Sequence, residues 1–554
     1  MHRTIAGFAE VLVSTYGRDG QQALLFPIPA AARRCLSFIS DRTTSELASQ
    51  ITTIDLSLDT SKDGAATLAH LKPTISAVLY PQEVQPLAKQ YWQHTGDGTS
   101  SRRAEFCHGL FKSGLLTSSQ GSPKVANGFA SGAARPSRGP KRYQRTGSID
   151  GITAPSSKAP AVQAPEESQE SSRFLEERFG RNLDLGLVDK AASAIRRRIT
   201  STLSGEMDLL DGPLPSFEAS NTRGVQSLQE SDVFLFSCGM NAIFNAHQTL
   251  LKALEPRKSI SCGFPYVDTL KILQKWGPGC QFYGYASSED LDDLEARLRG
   301  GERFLALFCE FPGNPLLVCP DLKRIRKLAD EYDFAIVVDE TIGTFANINV
   351  LVDADIVVSS LTKLFSGDGN VMGGTIILNP QGKYYEKLKS TMVNTYENSY
   401  WPEDIIYLER NSRDFASRVE RVNVNSEAVC QILVDHPAVK TVYYPKVNPS
   451  RHHYDTYRLP TGGYGGLLSV VFHSQTVSQA FFDALEIAKG PSLGTNFTLC
   501  SPYVLLAHYQ ELPWAASLGV DPYLCRLSVG LEETNALRET VETALKAAEA
   551  AMNA

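Results

Sequence analysis

The sequence predicts an α/β protein: a largely parallel central sheet, a smaller α/β domain after it and an N-terminal lobe before it. Three observations predict this. First, between residues 173 and 424, short apolar runs such as VFLFSCG, FLALFCEFPGN, FAIVVDET and DIVVSSLTK are interleaved with helical patterns such as MNAIFNAHQTLLKAL and LKRIRKLADEY. Runs without polar alternation imply burial on both faces, as in a parallel sheet covered by helices. Second, over 425–554 the pattern changes to AVCQILVDHPAVKTVYYP, GGLLSVVF, SQAFFDALEIA and CRLSVGLEE, a mixture that suits a smaller closing domain. Third, the composition breaks near residue 117, and 554 residues exceed what one hydrophobic core supports.

In chain order, residues 1–116 hold QALLFPIPAAARRCLSFI and ISAVLYPQEVQPLAKQYWQHTG. Each reads as a strand, a proline turn and an amphipathic helix, hence a small α/β lobe. Residues 117–172 are rich in Ser, Gly, Ala and Pro. They cannot bury enough apolar surface to offset ordering entropy, so a disordered linker is expected. Arg135, Arg138, Lys141, Arg142 and Arg145 read as solvated charge within it. KAASAIRRRITSTL then predicts a helix with its basic residues on the exposed face.

Bulk properties exclude several classes. The chain is 42% hydrophobic and 21% charged with a net charge of -7, so neither nucleic acid nor an anionic membrane is expected as partner. No apolar run reaches the ~20 residues of a bilayer span. The start lacks a basic region followed by a long apolar one, which argues against a signal peptide. The 10 cysteines form no CxxC pair, which suits free thiols, no metal site and a cytoplasmic location.

In open α/β sheets ligands bind beyond the carboxyl ends of the strands, and four polar groups fall there. They are Cys238-Gly239-Met240, Asn314, Asp339 and Lys363. Each alone has an ordinary reading as a cap, turn or surface residue. Together they match what pyridoxal phosphate requires. Lys363 supplies the amine that joins the aldehyde and moves protons. Asp339 keeps the pyridine nitrogen protonated, and Asn314 lies near the 3-oxygen. Backbone N–H groups of Gly239 and Met240 at a helix start receive the phosphate, with hydroxyls of Ser360 and Thr362 adding donors. Tyr266 is expected to stack on the ring and, with Lys363, to form the catalytic pair. His247, on an apolar helix, reads as a packed histidine.

From about Phe174 to Glu532 the chain resembles the Cys/Met-metabolism family of pyridoxal-phosphate enzymes, and most of all its fungal cystathionine gamma-synthase branch. The motifs that carry the resemblance are EERFGRNLD, FSCGMNAIFNAHQ, FPYVDTLKILQKWGPG, LFCEFPGNPLL, VVDETIGTF, SSLTKLFSGDGNVMGG, ERNSRDF, GGYGGLLSV, GPSLGTNFTL and RLSVGLEE. LLFP and KQYWQHTGDGTSSRRAEFC extend it into the N-terminal lobe. The resemblance implies the aspartate-aminotransferase-like fold (type I) and assigns the Schiff-base role to Lys363. It places the substrate carboxylate on Arg526 and Ser492. It puts the phosphate contact donated across a subunit interface at Arg181, although Phe179 stands where the family carries tyrosine. It also implies a homotetramer with shared active sites, acting on small amino-acid substrates.

The expected reaction is gamma-replacement on an O-acyl-L-homoserine, which the resemblance to this branch implies is the acetyl ester, with cysteine attacking to give cystathionine on the way to methionine. The alternative is a specialised homologue in which a carbon or nitrogen nucleophile meets the same vinylglycine intermediate and yields a non-proteinogenic amino acid. A non-catalytic scaffold would have no use for Lys363, Asp339, Ser492 and Arg526 together.

Overall fold

A computed structural model of the chain describes residues 2–118, 187–204 and 225–554. The expected linker from residue 119 onward lies outside the described residues, as do Phe179 and Arg181.

Seven strands make the central sheet, in the order β5-β11-β10-β9-β8-β6-β7. They are β5 (Val233–Phe236), β6 (Ser259–Cys262), β7 (Cys280–Tyr283), β8 (Ala306–Glu310), β9 (Ala335–Asp339), β10 (Ile356–Ser359) and β11 (Gly374–Leu378). Neighbours from β10 to β7 pair in parallel, while β11 is antiparallel to both β10 and β5. Both faces are covered, as the unbroken apolar runs require. Leu307, Cys309, Ile336 and Val338 enter one core, whereas Ala306, Phe308, Ala335 and Val337 enter the other. The carboxyl ends of the parallel strands therefore share one edge of the sheet.

A second sheet has the order β12-β13-β16-β15-β14. Its strands are β12 (Val439–Tyr443), β13 (Leu467–Phe472), β14 (Ala488–Lys489), β15 (Leu499–Pro502) and β16 (Cys525–Ser528). All its neighbours are antiparallel except β14 and β15. The helix Phe415–Val434 runs unbroken through the boundary expected at residues 424 and 425. Phe415 packs against Phe345 and Phe365 beside the central sheet, with ring centroids 5.2 and 5.1 Å away, so the helix ties the two sheets together.

The third sheet, β1-β3-β2-β4, belongs to the N-terminal lobe. It comprises β1 (Gln21–Phe26), β2 (Thr52–Leu58), β3 (Thr74–Pro81) and β4 (Leu116–Ser118), all antiparallel. The two strand-proline-helix readings correspond to β1 with helix Pro29–Ser40 and β3 with helix Gln85–Thr95. Thr117 and Ser118 pair with Ser57 and Leu56, so regular structure continues two residues past the expected lobe boundary. Backbone pairing at a sheet edge does not need apolar side chains, so it can reach into a stretch of different composition.

The helix Val188–Ser204 forms where expected, but its basic face is only partly exposed. Arg197 is exposed, whereas Arg198 reaches inward to Glu409 at 3.2 Å and Ser412 at 2.7 Å.

Candidate active site

The helix Gly239–Ala253 starts directly after β5, and Cys238 at its cap makes no side-chain capping bond. First-turn N–H groups have no partner four residues back, so they present partial positive charge at the carboxyl edge of the sheet. A Cβ on Gly239 would lie 2.8 Å from the Cβ of Ser360. Only glycine lets the loop after β10 come this close, and the approach sets Ser360 beside the helix start. Thr362 differs from expectation. Its hydroxyl donates to the Gly373 carbonyl at 3.2 Å and accepts from the Gly373 amide at 3.0 Å, so it holds the loop as well as facing the neighbouring cavity. That cavity, of about 170 Å³, is lined by Ser237 and Thr362 from the sheet edge and by Arg102 and Arg103 from the N-terminal lobe.

Asp339 closes β9 opposite Val358 of β10 and Glu310 of β8. Its Oδ1 accepts from the Thr341 hydroxyl at 2.6 Å and the Thr341 amide at 3.0 Å, while the Thr341 Oγ1 accepts from the Ser360 amide at 2.8 Å. This chain links the carboxylate to the loop that carries Lys363. Burial raises the Asp339 pKa, and the Thr341 bonds oppose the rise. Glu310 is pushed up to about 8, first by burial and then by Asp339. Two half-buried carboxyls at paired positions of neighbouring strands resist ionising together unless a cation stands beside them. A protonated ring nitrogen is such a cation.

Glu310 is a residue that sequence reasoning missed. Its carboxylate accepts the backbone N–H of Tyr266 and that of Asn314, the latter at 3.1 Å, so one acid orients two residues expected at the cofactor. The signal was present: Glu310 ends an apolar strand just as Asp339 does. Tyr266 caps the helix Val267–Lys275, beyond the end of β6, and the residue is 46% exposed. The phenol still sits among protein atoms that raise its pKa to about 12, through desolvation first and then Asp268, Cys238 and Glu310.

Lys363 Nζ donates to Ser492 Oγ at 3.3 Å. Burial, then the charge of Arg526, pulls its pKa down to about 8. Arg526, on β16, is 3% exposed. Its Nη2 donates to the carbonyls of Pro491 and Ser492 at 2.6 and 3.0 Å, and its Nη1 to Asn314 Oδ1 at 3.0 Å. The guanidinium lies 4.4 Å from the centre of the Tyr503 ring, and Tyr503 takes the Asn314 Nδ2 bond at 2.9 Å. Asn314, expected at the 3-oxygen, thus has both ends of its amide engaged with Arg526 and Tyr503. Tyr503 has no motif that would have revealed it. Among the described residues no acid forms an ion pair with Arg526, and a buried cation whose partners are all neutral is a site for an anion.

Arg526→Ala is expected to raise the KM of a carboxylate-bearing substrate by roughly 30-fold or more, since truncating one member of a buried charged pair costs about 2–5 kcal/mol. Cofactor affinity should hold. Initial rates and a cofactor titration check both, and an unchanged KM would place the carboxylate elsewhere.

The donor set fits pyridoxal phosphate: a depressed amine, a buried carboxyl in need of a cation, and a helix start beside Ser360. The structure gathers Gly239, Met240, Ser360 and Thr362 in one group and Tyr266, Asn314 and Asp339 around Glu310 at the carboxyl edge of the central sheet, while Ser492 and Arg526 come from the second sheet's side and meet that edge through Lys363 and Asn314. Arg181 lies outside the described residues. His247 is buried against Phe308, with ring centroids 5.8 Å apart, and burial lowers its pKa to about 4. Among the described residues no cluster of His, Cys, Asp and Glu could hold a metal, and no helix is long and apolar enough to cross a membrane.

Comparison with known proteins adds an independent line. A family model described as Cys/Met metabolism PLP-dependent enzyme matches residues 223–546, and one described as the N-terminal domain of fungal trans-sulfuration enzymes matches residues 4–100. The chain is 57% identical to the cystathionine gamma-synthase of Neurospora crassa, over 99% of this chain and 91% of the relative. It is 38% identical to the cystathionine gamma-synthase-like enzyme iboG2 of Amanita muscaria, over 98% of this chain and 88% of the relative. Among solved structures, cystathionine gamma synthase from Xanthomonas oryzae pv. oryzae in complex with aminoacrylate and cysteine aligns with a TM-score of 0.51 at 22% identity. That match covers 65% of this chain and 99% of the other, a likeness of fold.

Proposed function

The chain belongs to the Cys/Met-metabolism family of pyridoxal-phosphate-dependent enzymes, and from that premise we propose that it catalyses gamma-replacement on an O-acyl-L-homoserine, with cysteine as nucleophile and cystathionine as product. The fold, the enzyme class and the cofactor follow from membership. The observation that carries the finer reading is the 57% identity to a cystathionine gamma-synthase over 99% of the chain; the Lys363 amine, with its pKa near 8, on Ser492, whose carbonyl holds Arg526, supplies the base and the carboxylate site that such a reaction needs.

Bound there, pyridoxal phosphate supplies an electrophilic carbon for an amine and a cationic ring that accepts the electron pair of a broken bond at the α-carbon. In this reading Arg526 grips the substrate carboxylate through its planar fork, and Ser492 adds a hydrogen bond. Lys363, freed by the incoming amine, would take the α-proton and hand it on to the cofactor carbon beside the substrate nitrogen, which leaves the Lys363 amine neutral again. The same amine, neutral again, would take the β-proton, whose loss expels the acyl group from the γ-carbon as a carboxylate, and it would return protons to the β- and α-carbons once the nucleophile has added. The cysteine thiolate then bonds to that carbon. Asp339 keeps positive charge at the ring nitrogen, while Gly239, Met240, Ser360 and Thr362 hold the phosphate. The Tyr266 ring covers the site from the solvent side. Arg181 from a neighbouring subunit completes the phosphate contacts in a homotetramer, and the compartment is the cytoplasm.

The test is a nucleophile panel. Purified protein receives O-acetyl-L-homoserine with cysteine, sulfide, a set of keto acids or simple amines, and products are identified by mass. Cystathionine should dominate. Turnover with a carbon or nitrogen acid but none with cysteine would replace this reading by the specialised one, in keeping with a relative named only as synthase-like.

A further inference from the structure

The N-terminal lobe rests on the two helices whose starts face the candidate cofactor. Its helix Gln85–Thr95 packs against both Gly239–Ala253 and Val267–Lys275. At the end of the second of these, Trp276 stacks on Phe38 with ring centroids 4.4 Å apart and donates from Nε1 to His94 Nδ1 at 3.5 Å.

The contact with the first helix is closer still. Gly96 has a left-handed φ of +63°, and a Cβ there would lie 2.6 Å from the Asn241 backbone nitrogen and 2.7 Å from Cys238 Sγ. Asn241 is the third residue of the helix and 4% exposed. Its Nδ2 donates to Asp97 Oδ1 at 2.8 Å and to the Thr95 carbonyl at 3.0 Å. Asp97 is 6% exposed. Its Oδ2 accepts from the Tyr91 hydroxyl at 2.6 Å and from Arg34 Nε and Nη2 at 3.2 and 3.1 Å. The carboxylate charge is therefore matched within the lobe, which leaves the positive helix start free for another anion.

A helix start is the part of a helix most prone to fray, because its first N–H groups lack partners in the preceding turn. Most helices restrain it with a capping side chain, and Cys238 makes no such bond. Here the restraint comes from another lobe. We propose that Asp97, with Gly96, is a positioning element: it fixes the first turn of Gly239–Ala253 through Asn241 and so sets the affinity of the site for the cofactor phosphate. The proposal rests on the assignment of the Gly239 and Met240 N–H groups to that phosphate.

The experiment compares pyridoxal phosphate with pyridoxal, which lacks the phosphate, as ligands of the cofactor-free full-length protein. Dissociation constants are measured for wild type, Asp97→Ala, Asn241→Ala and the double variant, with circular dichroism as the control for folding. Each single variant should bind pyridoxal phosphate roughly tenfold more weakly, the scale of a lost hydrogen bond to a charged group, with pyridoxal affinity unchanged. The double variant should be no weaker than either single, as expected when two residues act as one unit. Unchanged phosphate-form affinity, or an equal loss for both ligands, overturns the proposal, and should one single variant not fold, the other decides. A wild-type protein that shows no preference for the phosphate form overturns the phosphate assignment itself, a separate and recognisable failure.

Discussion

Lys363→Ala is expected to abolish turnover, lowering kcat by at least about 10⁴, the upper range for a lost general base, before the lost covalent attachment is counted. The visible absorbance of the lysine-bound cofactor should vanish with it. The physical reason is that no other described amine lies in the group formed by Ser492, Asn314 and Arg526. Only the neutral amine attacks or takes a proton. With the pKa pulled to about 8 by burial and Arg526, roughly a tenth of the amine is neutral at pH 7, against well under a hundredth for an ordinary lysine. The rate of cofactor attachment should therefore climb with pH and level off above about 8. Arg526→Gln removes a repelling charge, so the same midpoint should move to higher pH. Retained turnover in Lys363→Ala, followed by product mass, would end the account.

Asp339→Asn should lower kcat by roughly 10²–10³, the scale of one lost preorganised electrostatic partner, while the cofactor stays attached to Lys363. An amide keeps the shape and the Thr341 bonds but does not pair with a ring cation. Steady-state rates and the retained absorbance check the two halves, and an unchanged kcat would remove Asp339 from the ring nitrogen. A second consequence concerns stability. In the folded cofactor-free protein Asp339 and Glu310 hold their protons to higher pH than in the unfolded chain. Their contribution is complete at low pH, below the unfolded values, and is lost as pH rises toward about 8. Asp339→Asn takes one acid away and relieves Glu310 of a repelling neighbour. The variant should therefore lose less stability than wild type across that window, as read from denaturant midpoints.

The legible part of the site was the part with a linear signal. Lys363, Asp339, Asn314 and Gly239 each stand where an apolar strand ends, so strand patterning and residue chemistry single them out. Arg526 and Ser492 came from a family motif, because a lone arginine in a β-strand carries no signal of its own. Glu310 carries the same signal as Asp339, an acid at the end of an apolar strand, but the cofactor's ring nitrogen calls for one acid and the pattern does not say that a second would orient Tyr266 and Asn314. Tyr503 and Asp97 had none: each matters through a partner more than a hundred residues away, Asn314 in one case and Asn241 in the other. The role of Thr362 was half legible, since its position in the motif says nothing of the Gly373 bonds that hold its hydroxyl.

What the sequence determined by itself was the local alphabet: which runs become doubly buried strands, where each ends, and which chemistry-bearing side chain stands at the end. Those features depend on near neighbours and on a periodicity that survives in one dimension. Tertiary structure alone decided the rest. It set Lys363 against Ser492, left Arg526 with neutral partners among the described residues, and seated the N-terminal lobe on the first turn of Gly239–Ala253. Burial and charge matching are sums over atoms that the chain brings together from distant places, and no local pattern contains them.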